Sequence, residues 1–180
     1  MSMDKLALRR SGGGVAALAV CSAACALTAW GPAVAAGAPL AFVSDFGSNA
    51  VTPVNTATDT AGGAIPVGVE PRGIAITPDG RTAYVSNYGS ATVTPIDTAT
   101  GTPGPSIPVG EKPIEIAVTP DGRTAYVTNY GSNTVTPIDL ATNTPGTPIP
   151  VGSEPFGLAI TPDGATVYVA DYGSNAVTPI

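Results

Sequence analysis

One interval of 42 residues governs most of this chain. Thr-Pro-Asp-Gly begins at Thr77, Thr119 and Thr161, and Ile-Pro-Val-Gly begins at Ile65, Ile107 and Ile149. Val-Thr-Pro recurs from Val51, Val93, Val135 and Val177. An aromatic-Gly-Ser triplet recurs from Phe46, Tyr88, Tyr130 and Tyr172. Independent markers that keep one period without an insertion define one structural unit each. Units this small bury their apolar faces only by stacking on their neighbours.

Each unit reads as four short strands. In the unit starting at Pro113, the apolar run Ile114 to Val118 is a first strand, and Thr119-Pro120-Asp121-Gly122 turns the chain. Proline presets φ at the second turn position and glycine tolerates a positive φ at the fourth. Thr124 to Thr128 carries Tyr and Val, good strand formers, and gives a second strand. Asn129-Tyr130-Gly131-Ser132 turns again, with Asn129 (like Asn87 and Asp171) read as an Asx-type turn residue. Thr134 to Ile138 is a third strand, and Thr147 to Val151 is a short fourth. No stretch beyond the N-terminal leader has a 3.6-residue apolar period, so helical and leucine-rich repeats fail. Four strands to 42 residues fit one blade of a β-propeller. A parallel β-helix, built from shorter coils, is the second choice. The expected fold class is therefore all-β, with four-stranded antiparallel blades.

Tyr126-Val127-Thr128-Asn129 has near-copies at Tyr84-Val85-Ser86-Asn87, Tyr168-Val169-Ala170-Asp171 and Phe42-Val43-Ser44-Asp45. With the Pro-x-Gly lead-ins at Pro71-Arg72-Gly73 and Pro155-Phe156-Gly157, the Pro-Asp-Gly turn and the closing Val-Gly, the region from Leu40 to Ile180 resembles the YVTN family of β-propeller repeats. The resemblance implies that Gly73 to Thr77 is an innermost strand and that the proline-bearing fourth strand is outermost. Proline suits an outer edge, because it removes a donor from an exposed ladder. Two features depart from the pattern. Pro53, Pro95, Pro137 and Pro179 sit in third strands, which calls for a bulge or a shortened fourth strand. Glu115 also replaces the lead-in glycine. By the family's register the chain holds a partial blade, two complete blades and another partial blade, 14 strands in all. That count predicts an incomplete propeller from a truncated chain, with open blade edges available for self-association.

The N-terminus reads differently. Lys5, Arg9 and Arg10 precede an apolar run from Val15 to Leu27 and small residues at Ala33, Ala35 and Ala36. This order predicts a secretory signal peptide over residues 1–36, cleaved near Ala35 or Ala36, with the repeats in 37–180. The run is short for a membrane helix, which takes about 20 apolar residues. Arg9-Arg10 lacks the apolar residue that follows a twin-arginine signal, and Val20 is bulky for a lipid-modified Cys21. The expected location is secreted or at the cell surface. Removing the leader takes both cysteines, Cys21 and Cys25, leaving no disulfide or thiolate chemistry. The chain has no histidine, so His-containing triads and His-ligated zinc are excluded. The remaining 12 acids and 4 bases give a net charge of −8, which repels nucleic acid and anionic lipid.

Candidate sites lie where the repeat varies. The loops joining fourth to first strands carry Glu70-Pro71-Arg72, Glu111-Lys112-Pro113-Ile114-Glu115 and Ser153-Glu154-Pro155-Phe156. Glu70, Arg72, Glu111, Lys112, Glu115 and Glu154 are the candidate ligand-binding rim, as against a merely solvated one. Calcium is the cation their oxygens would suit, though it needs about six to eight ligands. No cofactor is otherwise expected. Tyr88, Tyr130 and Tyr172 read either as packing against the next blade or as an aromatic rim. Asp79, Asp121 and Asp163 read as turn residues, and Asp97 and Asp139 as acceptors of local backbone bonds. With no catalytic constellation evident, the leading expectation is a scaffold that binds a protein or glycan. The alternatives are a lactonase- or hydrolase-type enzyme acting at the central channel, and a structural cell-envelope component.

Overall fold

The computed structural model describes residues 40–180. The expected leader lies outside the described residues. Those residues build four antiparallel sheets in chain order. The first holds β1 (Leu40–Asp45), β2 (Ala50–Asn55), β3 (Thr60–Ala61) and β4 (Ile65–Pro66). The second holds β5 (Pro71–Ile76), β6 (Thr82–Asn87), β7 (Thr92–Asp97), β8 (Thr102–Pro103) and β9 (Ile107–Pro108). The third holds β10 (Pro113–Val118), β11 (Thr124–Asn129), β12 (Thr134–Asp139), β13 (Thr144–Pro145) and β14 (Ile149–Pro150). The last holds β15 (Pro155–Ile160), β16 (Val167–Asp171) and β17 (Ala176–Pro179), with a single 3-10 turn at Tyr172–Ser174. The described residues are all-β, their sheets are propeller-type blades, and these do not close into a ring.

The expected fourth strand at Thr147 to Val151 is corrected to two two-residue pieces, β13 and β14, both paired to β12. The third-strand proline explains the break. Pro137 lies opposite Tyr126 in β11, and its carbonyl accepts from Gly146 N–H at 2.7 Å on the other side. In a strand the N–H and C=O of one residue point the same way. The donor that proline lacks is therefore missing from the ladder to the fourth strand, where the ladder gives out. Gly104 to Pro95 (2.8 Å) and Gly62 to Pro53 (2.7 Å) repeat the arrangement. Counting each broken pair as one strand restores the expected 14.

A second irregularity joins blade to blade. The register of β5 against β6 slips between Pro71 and Ile74, and that of β10 against β11 between Pro113 and Ile116. Each slip frees a backbone N–H inside the sheet, and a hydroxyl of the second strand catches it. Ser86 Oγ accepts from Gly73 N–H (2.9 Å) and donates to the Ile114 carbonyl of the next blade (2.7 Å). Thr128 accepts from Glu115 N–H (3.0 Å) and donates to the Phe156 carbonyl (2.9 Å). Ser44 donates to the Arg72 carbonyl (2.7 Å). In the last blade this position is Ala170, which has no hydroxyl, and there Gly157 pairs directly with Ala170.

Apolar packing follows the same joints. Phe42, Leu40, Val51, Ile74, Ala83, Val85 and Ile96 fill the first inter-blade layer. Tyr84, Val93, Ile116, Val127 and Ile138 fill the second, and Val135, Val167 and Val169 the third. Because strand side chains alternate between faces, Val85 looks back to the first blade while Tyr84 looks forward. Tyr84 also donates its hydroxyl to Asn143 Oδ1 of the third blade at 2.8 Å. The first strands of successive blades lie side by side, while the outer pieces β3 and β8, the latter bearing Pro103, are exposed.

The turn acids do structural work, as their spacing predicts. Asp79 Oδ1 accepts from Thr77 Oγ1 (2.6 Å) and Arg81 N–H (3.1 Å), and Asp97 Oδ1 accepts from Ala99 and Thr100 N–H (3.0 and 2.8 Å). The Asx-turn reading of Asn87, Asn129 and Asp171 is corrected. These side chains are buried and reach the adjacent third strand instead: Asn87 Nδ2 donates to the Thr92 and Thr94 hydroxyls, and Asp171 accepts from the Thr178 hydroxyl. A neighbouring strand offers these buried groups a partner, which the loop does not.

Two outcomes follow for stability. A Cβ on Gly73 would stand 2.5 Å from the Ile114 carbonyl of the next blade, whereas one on Gly157 meets nothing within 4 Å. Gly73→Ala is expected to cost roughly 1–3 kcal/mol of overpacking in urea unfolding, and Gly157→Ala to be near neutral. Equal costs would contradict the close approach of the blades. Hydrogen bonds from Thr77, Thr119 and Thr161 first, then from backbone N–H groups, hold the Asp79, Asp121 and Asp163 carboxyls below their ordinary range. Depressed folded values mean stability that is present above about pH 4 and lost as the pH falls below it. Thermal melts at pH 5 and pH 2.5 are expected to show that loss, with little dependence on salt, since hydrogen bonds rather than ion pairs lead.

Candidate functional site

Two kinds of loop share one end of the blades. The segment before each first strand folds against the loop between the second and third strands of the same blade. Tyr88 N–H donates to the Glu70 carbonyl (3.0 Å), Tyr130 N–H to Lys112 (3.1 Å) and Tyr172 N–H to Glu154 (3.1 Å). Glu70, Lys112 and Glu154 are equivalent positions, all at positive φ (54°, 52° and 53°). The aromatic-Gly-Ser triplet fits this joint chemically. A Cβ on Gly89 would lie 2.7 Å from the Val69 side chain, and the Ser90 hydroxyl accepts from Val69 N–H (3.2 Å). The loops interlock only where the middle residue is glycine.

This joint brings the repeated aromatics to the variable lead-in residues. The Arg72 guanidinium lies 5.0 Å from the Phe46 ring centre and 4.4 Å from that of Tyr88. Ile114 and Phe156 take its place in the next two units. The result is a cleft of about 400 Å³ lined by Arg72, Tyr88, Ile114, Tyr130, Phe156 and Tyr172. The backbone of its lead-in residues is fixed from behind, since the Arg72, Ile114 and Phe156 carbonyls are the ones held by Ser44, Ser86 and Thr128. Tyr172 is 72% exposed and Phe156 48%.

The electrostatics are mixed. Partial desolvation first, and then the nearby Glu154 carboxylate, raise the Tyr130 hydroxyl above its ordinary range. Arg81 and Arg123 sit beside the turn acids Asp79 and Asp121 at 4.0 and 3.9 Å. Arg72 has no such carboxylate among the described residues, and its Nε is buried without an acceptor. Its charge rests on two ring faces instead.

Of the six candidate rim residues, Arg72 alone lines the cleft. Glu70 and Glu154 stand at its edge through the loop joint, and Glu111 and Lys112 are exposed. Glu115 lies deeper, half-buried on β10 one residue beyond Ile114. Among the described residues no three Asp, Glu, His or Cys gather as a group that could hold a metal. What residue reasoning left out of the rim is the set Phe46, Ile114 and Phe156. Their signal was present, as the aromatic triplet and the varying lead-in position, but nothing in linear spacing joins the two. The tyrosines serve both readings: Tyr88 packs on Arg72 and Tyr172 is open to solvent.

The fold and the cleft together define a propeller-type repeat array with an aromatic-lined cleft at one end. No protein-family model matches the sequence, and no curated protein does. Solved structures do. Hydrazine synthase from Kuenenia stuttgartiensis matches at 33% identity and TM-score 0.74, over 77% of this chain and 42% of its own. A candidate 6-phosphogluconolactonase from Bacteroides uniformis matches at 20% identity and TM-score 0.66, over 77% of this chain and 46% of its own. The dihydro-haem d1 dehydrogenase NirN, solved with DHE, matches at 20% identity and TM-score 0.67, over 86% and 37%. The chain thus spans less than half the length of each of these structures.

Burial raises the Glu115 carboxyl above its ordinary range, partly offset by the bond from Ile116 N–H (3.3 Å). A raised carboxyl favours folding below the unfolded value, about pH 4.3, and that contribution is lost as the pH rises through the folded value. Glu115→Gln is therefore expected to melt higher than the parent at pH 7 and level with it below pH 4. A lower melting point at pH 7 would show that the ionised carboxylate has a favourable partner.

Proposed function

We propose that this chain is a secreted or cell-surface propeller scaffold of the YVTN-repeat type. It binds a protein or glycan through the cleft and performs no catalysis there. The observation that carries this reading is the composition of the cleft: aromatic rings, one isoleucine and one arginine, held by backbone bonds between loops. Such a surface supplies flat contact area at low entropic cost, with polar groups confined to its edge. Among the described residues, its lining holds no hydrogen-bonded nucleophile–base pair. The leader at 1–36, cleaved near Ala35 or Ala36, supplies the export in this proposal, and open blade faces supply self-association.

The enzyme reading has its own support, because the proteins of similar fold include a dehydrogenase and a candidate lactonase. Fold likeness by itself carries no activity. The two readings part in one experiment. The purified chain is titrated against isolated cell-envelope polysaccharide and protein fractions, and assayed in parallel on a panel of lactones with and without calcium. Saturable binding that weakens in Tyr88→Ala and Tyr130→Ala is the expected result. Lactone turnover with kcat/KM on the order of 10⁴ M⁻¹s⁻¹ or above would replace the scaffold with an enzyme.

A further inference from the structure

We infer that the cleft takes a neutral oligosaccharide chain laid across the blades, one ring platform to a unit. The inference rests on the scaffold reading and narrows its ligand. Phe46, Tyr88, Tyr130 and Tyr172 recur in one register, and Arg72, Ile114 and Phe156 fill the places between them. A platform repeated at a fixed step suits a polymer that also repeats. A pyranose presents C–H groups on its faces, which stack on aromatic rings, and hydroxyls around its edge, which both donate and accept.

The edge of the cleft matches those needs. Glu70 and Glu154 offer acceptors at its edge, Glu154 close to the Tyr130 hydroxyl. The Arg72 guanidinium offers donors, with its Nε buried and unpartnered.

Charge and donor count exclude the other polymers. Bases would stack on the same rings, but phosphates would meet Glu70, Glu111 and Glu154 and a chain of formal charge −6. Acidic polysaccharides meet the same repulsion. A proline-rich peptide docks on aromatic grooves, yet each proline lacks the N–H that the carboxylates would need. Sugar hydroxyls supply donors at every step.

The test is calorimetric titration of the full chain with cellohexaose and chitohexaose, their disaccharides, a heparin hexasaccharide and a proline decapeptide. At least one neutral hexasaccharide is expected to bind about tenfold or more tighter than its disaccharide, because several platforms act together. Tyr172→Ala, at an exposed position, is expected to keep the parent's circular dichroism and weaken that binding by about fivefold or more. Tyr130→Phe keeps the ring and is expected to lose less than Tyr130→Ala. No heat with either neutral hexasaccharide, or binding that Tyr172→Ala and Tyr130→Ala leave unchanged, would overturn the inference. Tyrosine-dependent binding of the decapeptide alone would overturn it while leaving the scaffold reading intact. Lactone turnover without any binding would remove the scaffold reading itself.

Discussion

A sheet with two apolar faces needs a neighbour on each, and in this chain the neighbour is always another copy of nearly the same sheet. That requirement organises everything else. Val85 faces backward and Tyr84 forward within one strand, so the second blade completes the core of both the first and the third. The hydroxyls of Ser44, Ser86 and Thr128 reinforce the joint by bonding across it. The register slips of β5 and β10 that leave N–H groups for Ser86 and Thr128 would be unsatisfied defects in an isolated sheet. In the stack they become the points at which one blade grips the next.

The same joint links stability to the aromatic cleft. The carbonyls that receive the hydroxyls belong to Arg72, Ile114 and Phe156, three of the six residues lining the cleft. The tyrosines come from loops pinned to the lead-in segments by backbone bonds. The cleft is therefore preorganised by main-chain contacts, and its side chains are free to vary without disturbing the fold. This explains how the unit keeps its turns and glycines while Arg72, Ile114 and Phe156 differ completely in chemistry.

The blades are not all equivalent. Ala170 lacks the hydroxyl of its three counterparts, and although β15 slips register between Pro155 and Gly157 as β5 does between Pro71 and Ile74, Gly157 is paired with Ala170. Tyr168 and Val177 are exposed, whereas Tyr84 and Val135 at the same repeat positions are buried. The two exposures follow from a sheet face with no neighbour among the described residues. They show how much of each blade's burial belongs to the pair rather than to the sheet.

Period, strand number and turn chemistry were legible in the residues because they are local. Thr-Pro-Asp-Gly makes its turn whatever surrounds it, and Val-Thr-Pro forces a broken fourth strand wherever it stands in a third. The sequence by itself determined the all-β class, the unit of 42 residues and the turn role of Asp79, Asp121 and Asp163. Only the tertiary structure decided that Asn87 turns inward to threonine hydroxyls, and that Phe46, Arg72 and Tyr88 form one stack. Ser44 and its acceptor Arg72 are 28 positions apart, and no spacing rule connects them. Contacts of that kind are made by the packing of one sheet on another, so they exist only once the whole stack has formed.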